Sequence, residues 1–170
     1  MTEAQSMIKI ARSQLGYAEA AGNRSKYGAW YGLDGQPWCM MFISWCAAAA
    51  GISADTIPQL ASCPQARDWF QLRGRFHSAA LSRPEPGDVV FFDHNGNGVA
   101  DHAGLAERVE GNTLACIEGK DGGKSSSGMV RLYIRRPEDA VEWRVQEPDG
   151  SVMVEGLIEP MFTWWEKENK

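Results

Sequence analysis

The chain has few cysteines, four in 170 residues, and none of them stands in a paired C-x-x-C motif. Such scattered thiols argue against a structural zinc site. Cys39 and Cys46 fall in one apolar segment that reads as a helix. Two helical turns would separate their Cα atoms by about 10 Å, which is too far for a disulfide. We therefore interpret Cys46, Cys63 and Cys116 as reduced residues that pack in the core.

The sequence also lacks a block of basic residues, a long apolar run and an internal repeat. The formal net charge is −5 and the Lys and Arg residues are scattered, which argues against a nucleic-acid-binding surface. No segment reaches the length of a membrane-spanning helix. Residues 1–4 lack the charged and then apolar pattern of a secretion signal, so we expect synthesis in the cytoplasm without membrane insertion.

The remaining composition is that of an ordinary globular enzyme domain. Hydrophobic residues make up 44% and charged residues 23% of the chain, close to the average for folded proteins. A chain of 170 residues is long enough to bury a substantial core. Extensive disorder is therefore not expected.

Hydrophobic periodicity and capping signals predict three helices in the first half of the chain. The first runs from Thr2 to Leu15 with a capping box, and the second, apolar on nearly all sides, covers 38–50. The third covers 65–73 and follows Ser62 as its cap. Between the first two, residues 16–37 are predicted to form a long connection, of the kind that often carries function.

The second half of the chain predicts an antiparallel meander. β-rich runs at 89–93, 101–109 and 113–119 are separated by turn residues, and another alternating run covers 129–134. His102 begins the second run and Glu118 ends the third. If these strands pair through the short turn between them, the two side chains meet at one end of the sheet. That is the arrangement of a general base and the acid that orients it.

Cys39 is the candidate nucleophile. It stands where a Gly-rich loop gives way to the second predicted helix, and the N-terminus of a helix favours a thiolate. An isolated cysteine in such a place is more often a small buried hydrophobe. The His102 and Glu118 pair further along the chain favours the catalytic interpretation.

These segments resemble the CHAP domains (cysteine- and histidine-dependent amidohydrolase/peptidase), which are papain-like cell-wall hydrolases common in phage lysins. The resemblance extends over roughly residues 1–135. It rests on the order and spacing of five stretches: Tyr27–Gly32, Trp38–Trp45, Pro86–Phe92, Asp101–Leu105 and Ile117–Gly119.

The resemblance implies an α+β, papain-like fold, with N-terminal helices packed on an antiparallel sheet or half-barrel. It also implies that Cys39 is the nucleophile, His102 the base and Glu118 the third member of the catalytic set. The expected substrate is an amide bond of bacterial peptidoglycan. Many relatives carry Asn where this chain has Lys120, and no role is assigned to that lysine.

Residues near Cys39 supply further candidates for the site. Gln36 is a candidate second donor to an oxyanion. The aromatic side chains that could line a substrate groove are Tyr27, Trp30, Tyr31 and Trp38. The alternative for these aromatics is that they cover the core.

The loop 93–101 matches part of a calcium-binding pattern. Asp93, Asn95, Asn97 and Asp101 place oxygen-bearing side chains at positions 1, 3, 5 and 9, with Gly98 at position 6. The bidentate Glu expected at position 12 is missing, and Asn-Gly pairs are equally typical of a tight hairpin. No cofactor is expected to be required, and calcium is the one candidate ligand.

We divide the chain into a catalytic domain, residues 1–136, and a C-terminal extension, residues 137–170. Two β-rich runs flank the turn residues 148–150 and predict a hairpin that extends the sheet. The tail contains Trp164 and Trp165, which either pack on the hairpin or form a wall-binding or oligomer contact.

The predicted activity is peptidoglycan hydrolysis, with two alternatives. One is a papain-like protease that acts on protein, and the other is a non-catalytic module that binds the wall or a partner. For a wall hydrolase without a secretion signal, we expect release from the cytoplasm through a holin or delivery as part of a phage particle.

Overall fold

The computed structural model describes residues 1–78, 84–111, 113–120, 128–135, 143–146 and 152–153. Within these segments the helices are α1 (Glu3–Arg12), α2 (Lys26–Tyr31), α3 (Cys39–Ala49) and α4 (Cys63–Gln71). The strands in the same segments are β1 (His77–Ser78), β2 (Val89–Phe92), β3 (His102–Glu110), β4 (Thr113–Glu118), β5 (Arg131–Arg135), β6 (Trp143–Gln146) and β7 (Val152–Met153).

Helix α1 begins where the sequence predicts but ends earlier. Thr2 and Gln5 form the expected capping box, in which each side chain bonds the other residue's backbone N–H. The helix ends at Arg12, short of the predicted Leu15. Turns follow as far as Gly16, whose φ of 88° is left-handed and whose N–H bonds the carbonyl of Val130. This contact with a distant segment explains the early end.

The predicted connection at 16–37 contains a short helix that the sequence pattern did not predict. The short helix α2 forms there, with Ser25 as an N-cap that accepts a bond from the Gly28 N–H. Gly32, at a φ of 86°, ends the helix. The hydrophobic pattern does not reveal so short a helix, and the capping serine was the available signal.

Helix α3 is the central helix of the fold. Most of its side chains are buried, among them Met40, Phe42 and Ile43, and it packs against β3. A helix that is apolar on nearly all sides is expected to lie inside a protein. The first residue of this buried helix, Cys39, is therefore held in a fixed position.

The described strands form one sheet in the order β1-β7-β6-β2-β3-β4-β5. Strands β2 to β5 are consecutive antiparallel neighbours, which confirms the predicted meander. In the ladder between β3 and β4, the register shifts by one residue between Ala106 and Arg108. This irregularity is a β-bulge, with Glu107 as the extra residue.

The C-terminal strands β6 and β7 pair antiparallel, and β6 also pairs with β2. This pairing is what the predicted hairpin requires. The division of the chain at 136/137 stays a prediction. The segment 121–127 and the Trp164–Trp165 tail lie outside the described residues.

The architecture is α+β, with the N-terminal helices packed against an antiparallel sheet. Buried side chains from α1, α3 and α4 join those of β2, β3 and β4 in one hydrophobic core. This confirms the predicted fold class. No helix in the described part of the chain is long and apolar enough to cross a membrane.

Candidate active site

Cys39 is the first residue of α3 and lies near the protein surface. Its side chain is largely buried, with 7% of the residue exposed. The first α-helical backbone bond of this region runs from the Phe42 N–H to the Trp38 carbonyl, so the N–H of Cys39 has no partner within the helix. The sulfur therefore lies beside the positive end of the helix dipole, as the sequence predicts.

His102 and Glu118 meet at the end of the sheet, and this prediction is confirmed. The imidazole Nε2 lies 2.8 Å from the Glu118 carboxylate, and the two residues are 2% and 1% exposed. On this side of the bulge, Gly104 lies opposite Glu118, because Leu105 pairs with Ile117. His102 is two residues from Gly104, so its side chain lies on the same face of the sheet as that of Glu118.

The Cys39 sulfur and the His102 imidazole are close enough for each group to shift the pKa of the other. Since Nε2 faces Glu118, the nitrogen available to the sulfur is Nδ1. Burial alone would lower the pKa of His102, but the bonds and negative charges of Cys39 and Glu118 outweigh it and raise the pKa to about 10. The imidazole is therefore held in its protonated form at neutral pH.

The same surroundings favour the thiolate of Cys39. The hydrogen bond from Cys63 is the largest cause that lowers the pKa of Cys39, and burial opposes it. The bond and charge of His102 and the N–H of Ala103 lower the pKa further. It therefore lies well below its ordinary value. The three predicted residues thus form a buried thiolate–imidazolium–carboxylate series. Such a series is the arrangement of a nucleophile, its base and an orienting acid.

Cys63 is a site residue that the sequence analysis missed. It begins α4, and its sulfur lies 3.5 Å from that of Cys39. The residue is buried and reduced as expected, but its contact with the nucleophile was not expected. Its position at the start of a helix is the same signal that selected Cys39, and Ser62 caps this helix.

A cleft of about 330 Å³ opens beside the two sulfurs. The side chains that line it with Cys39 and Cys63 are mostly apolar: Leu33, Pro37, Met41, Ala61, Pro64 and Ala100, with Gln36, Ser62 and Asp101 as the polar exceptions. Gln36 therefore lies in the same cleft as the nucleophile, where an oxyanion donor is needed.

The aromatic residues expected in the groove do not line this cleft. Tyr27 and Trp38 are fully buried, with ring centroids 5.1 Å apart, and stack in the core. Neither can form the wall of an open groove, because no part of either residue is exposed. Trp30 is 42% exposed and Tyr31 is half-buried, but both lie outside the cleft lining. The core alternative is therefore the correct one for Tyr27 and Trp38.

Glu19 fixes the residue that precedes the nucleophile. Its carboxylate accepts a bond of 2.5 Å from the Trp38 indole and one of 2.8 Å from the Gly128 N–H, and Lys120 Nζ lies 3.7 Å away. Burial alone would raise the pKa of Glu19, but these bonds and the Lys120 charge lower it. Lys120 also bonds Asn23. The lysine without a predicted role thus belongs to a network that supports Trp38.

The candidate calcium loop is closed by its own hydrogen bonds. The oxygens of Asp93, Asn95, Asn97 and Asp101 each accept at least one bond from the backbone N–H groups of residues 94–99. Among the described residues, no group of three His, Cys, Asp or Glu side chains is arranged to hold a metal ion. Calcium at this loop stays a prediction.

Comparison with known proteins gives two kinds of similarity. The family model of the CHAP domain matches residues 30–120. Two solved structures, Ly7917 and Ly7917 with the hydrolyzing product of MDP, are 17% and 16% identical, each with a TM-score of 0.49. Both comparisons cover 85% of this chain, which spans 62% and 63% of those proteins. No curated protein sequence matches significantly.

Proposed function

The chain belongs to the CHAP domain family, and we propose that it is a cysteine-dependent hydrolase that cleaves an amide bond of bacterial peptidoglycan. The observation that carries the proposal is the contact series from Cys39 to His102 to Glu118 at the edge of an open cleft. Hydrolysis by a thiol needs an ionised sulfur, a proton donor beside it and room for a substrate. All three requirements meet at this place.

In the proposed mechanism, the Cys39 thiolate attacks the amide carbonyl. The N–H of Cys39, left without a partner by the helix, and the Gln36 side chain stabilise the negative oxygen of the tetrahedral intermediate. His102 then gives its proton to the leaving amine, while Glu118 holds the imidazole in place. Water attacks the resulting thioester with His102 as the base and releases the thiol.

The substrate class follows from the family resemblance and not from the shape of the cleft. The candidate bonds are the amide between sugar and stem peptide and the peptide bonds of the stem or cross-bridge. With a net charge of −5, the protein gains no bulk attraction to an anionic wall, so binding depends on local contacts. Action at the wall after release through a holin, or within a phage particle, belongs to the same proposal.

Digestion of purified cell walls, followed by mass spectrometry of the soluble fragments, tests the activity and identifies the bond together. We expect new amino and carboxyl ends at one type of amide bond. Cys39→Ala abolishes release of fragments, whereas Cys46→Ala, the same replacement in the same helix, retains it. Wall digestion that survives Cys39→Ala would exclude Cys39 as the nucleophile, and cleavage of unrelated peptides but not of walls would favour the protease alternative.

A further inference from the structure

Cys63 has no role in the proposed hydrolytic mechanism beyond its hydrogen bond with Cys39. Cys39 and Cys63 lie on different helices, 24 residues apart in sequence, and their sulfur atoms are 3.5 Å from each other. A disulfide is about 2.05 Å long, so the sulfurs need to approach by only about 1.5 Å. Both residues line the open cleft, which gives a small oxidant access to them.

We propose that Cys63 is a resolving cysteine, which forms a reversible disulfide with Cys39 when a peroxide oxidises the nucleophile. The disulfide blocks the thiolate and also protects it from further oxidation. This proposal rests on the proposed function only for its consequence, the loss of hydrolysis. The bond itself depends on the two thiols alone.

The chemistry needs one peroxide molecule and two steps. The Cys39 thiolate attacks a peroxide oxygen, the O–O bond breaks, and the released hydroxide or alkoxide takes up a proton. Cys39 is then a sulfenic acid, oxidised by two electrons, and the peroxide is reduced. The Cys63 sulfur next attacks the Cys39 sulfur, the S–O bond breaks, and hydroxide leaves with the Cys63 proton as water. A dithiol reductant reverses the oxidation: it exchanges with the Cys39–Cys63 disulfide, releases both protein thiols and is itself left as a disulfide.

The electrostatics of the pair fit this order of events. Cys39 is the ionised partner, since its pKa lies well below the ordinary value, and the thiolate is the form that reacts with peroxide. The hydrogen bond to Cys39, burial and the negative charge of Cys39 raise the pKa of Cys63 well above its ordinary value. Once Cys39 becomes a neutral sulfenic acid, its charge no longer opposes ionisation of Cys63. The N-terminus of α4 then favours the Cys63 thiolate.

The other cysteines do not offer this chemistry. Burial raises the pKa of Cys46, which lies in the core, so its thiolate is disfavoured. Cys116 is also fully buried and lies beside Gly104 in the sheet. Cys46 therefore supplies a matched control, because it is a neighbouring cysteine of α3 that does not line the cleft.

The test treats the whole protein with a small excess of hydrogen peroxide and then blocks the remaining thiols with iodoacetamide. Trypsin would leave Cys39, Cys46 and Cys63 in one peptide, 27–67, because no Lys or Arg lies between Lys26 and Arg67. A protease that cleaves before Asp residues separates 34–54 from 55–67. We expect these two peptides to be joined, with the loss of two hydrogen atoms in mass, and to separate on reduction. In Cys46→Ala the joined peptides can contain only Cys39 and Cys63.

Activity on cell walls, measured relative to each untreated protein, gives the second readout. The oxidised wild type loses activity and regains nearly all of it after reduction. Cys63→Ser keeps a hydrogen-bond donor beside Cys39 but lacks the second thiol. At a larger excess of peroxide a second peroxide molecule oxidises its Cys39 sulfenic acid to a sulfinic acid, which a thiol reductant does not reverse, so its loss of activity is expected to persist after reduction. Cys46→Ala behaves as the wild type does.

Two results would overturn the proposal. One is wild-type protein in which Cys39 is oxidised by peroxide but no peptide pair is joined. The other is Cys63→Ser recovering as fully as the wild type. If Cys63→Ser does not fold, peptide mapping of the wild type decides alone. Joined peptides in a protein that never digests walls would support the disulfide while rejecting the proposed function.

Discussion

Replacing Glu118 by Gln removes one negative charge from the candidate site at nearly constant volume. Glu118 and His102 are 1% and 2% exposed, and Nε2 lies 2.8 Å from the carboxylate. Water therefore has little access to solvate the imidazolium in place of the lost carboxylate. The amide oxygen of Gln can still accept a bond from Nε2–H, which preserves the geometry. What the variant loses is the preference of the site for a charged imidazole.

The size of the effect follows from the energy of the bond. A hydrogen bond to a charged group contributes about 1.5–3 kcal/mol, and a neutral one about 1 kcal/mol. One pKa unit corresponds to about 1.36 kcal/mol. The difference is about 0.5–2 kcal/mol. We therefore expect the pKa of His102, raised to about 10 in the native protein, to fall by about 0.4–1.5 units in Glu118→Gln.

The sign of the pH dependence is fixed by the proposed ion pair. Activity rises with pH as Cys39 ionises and falls with pH as His102 loses its proton. The alkaline limb of kcat/KM thus reports His102, near pH 10 in the native protein. In Glu118→Gln this limb moves toward neutral pH by about 0.4–1.5 units.

The assay is a pH profile of kcat/KM on a soluble wall fragment, with the imidazole titrated in parallel by NMR. Glu110→Gln is the matched control, since Glu110 is an exposed carboxylate on the same pair of strands. Its profile is expected to coincide with that of the native protein. An alkaline limb that stays in place in Glu118→Gln would refute the argument that Glu118 maintains the imidazolium.

Three further predictions concern the surroundings of the site. Gly104→Ala places a Cβ 2.7 Å from Glu118 Cγ, which forces the carboxylate to move. We expect a free energy of unfolding in urea about 1–3 kcal/mol lower and a kcat/KM roughly a hundredfold lower. Native kinetics in this variant would contradict the argument. Glu19→Gln weakens the support of Trp38 and lowers the free energy of unfolding by about 1–2 kcal/mol, whereas an unchanged urea midpoint would reject that role. The calcium prediction for loop 93–101 implies that calcium added after a chelator raises the thermal unfolding midpoint, since a side-chain oxygen that accepts one N–H bond keeps a further lone pair for the ion. An unchanged midpoint would reject that prediction.

Local signals predicted much of the fold because each depends on residues close in sequence. The capping box at Thr2, the buried helix after Trp38 and the meander from 89 to 118 all follow from spacing within a few turns or strands. The end of α1 did not follow in this way, since it depends on a bond between Gly16 and Val130. Long-range bonds of this kind leave no periodic pattern.

The candidate site could be predicted only where its members lie on regular elements. The start of a helix indicated Cys39. The pairing of two strands indicated His102 and Glu118, because it brings their ends together. Cys63 was missed, since nothing in the sequence indicates that the start of α4 faces the start of α3. The aromatics at 27 and 38 were ambiguous for the same reason, as exposure depends on what packs over them.

The β-bulge shows that a histidine and a glutamate at the ends of paired strands are not sufficient for a catalytic pair. Their side chains must also lie on the same face of the sheet. At the turn, Glu110 pairs with Thr113, and without an extra residue the same ladder would place Leu105 opposite Glu118. Leu105 is an odd number of positions from His102, so the two catalytic candidates would then lie on opposite faces of the sheet. The extra residue Glu107 restores them to one face. A deletion at that position should therefore separate the imidazole from the carboxylate while leaving both residues in the chain.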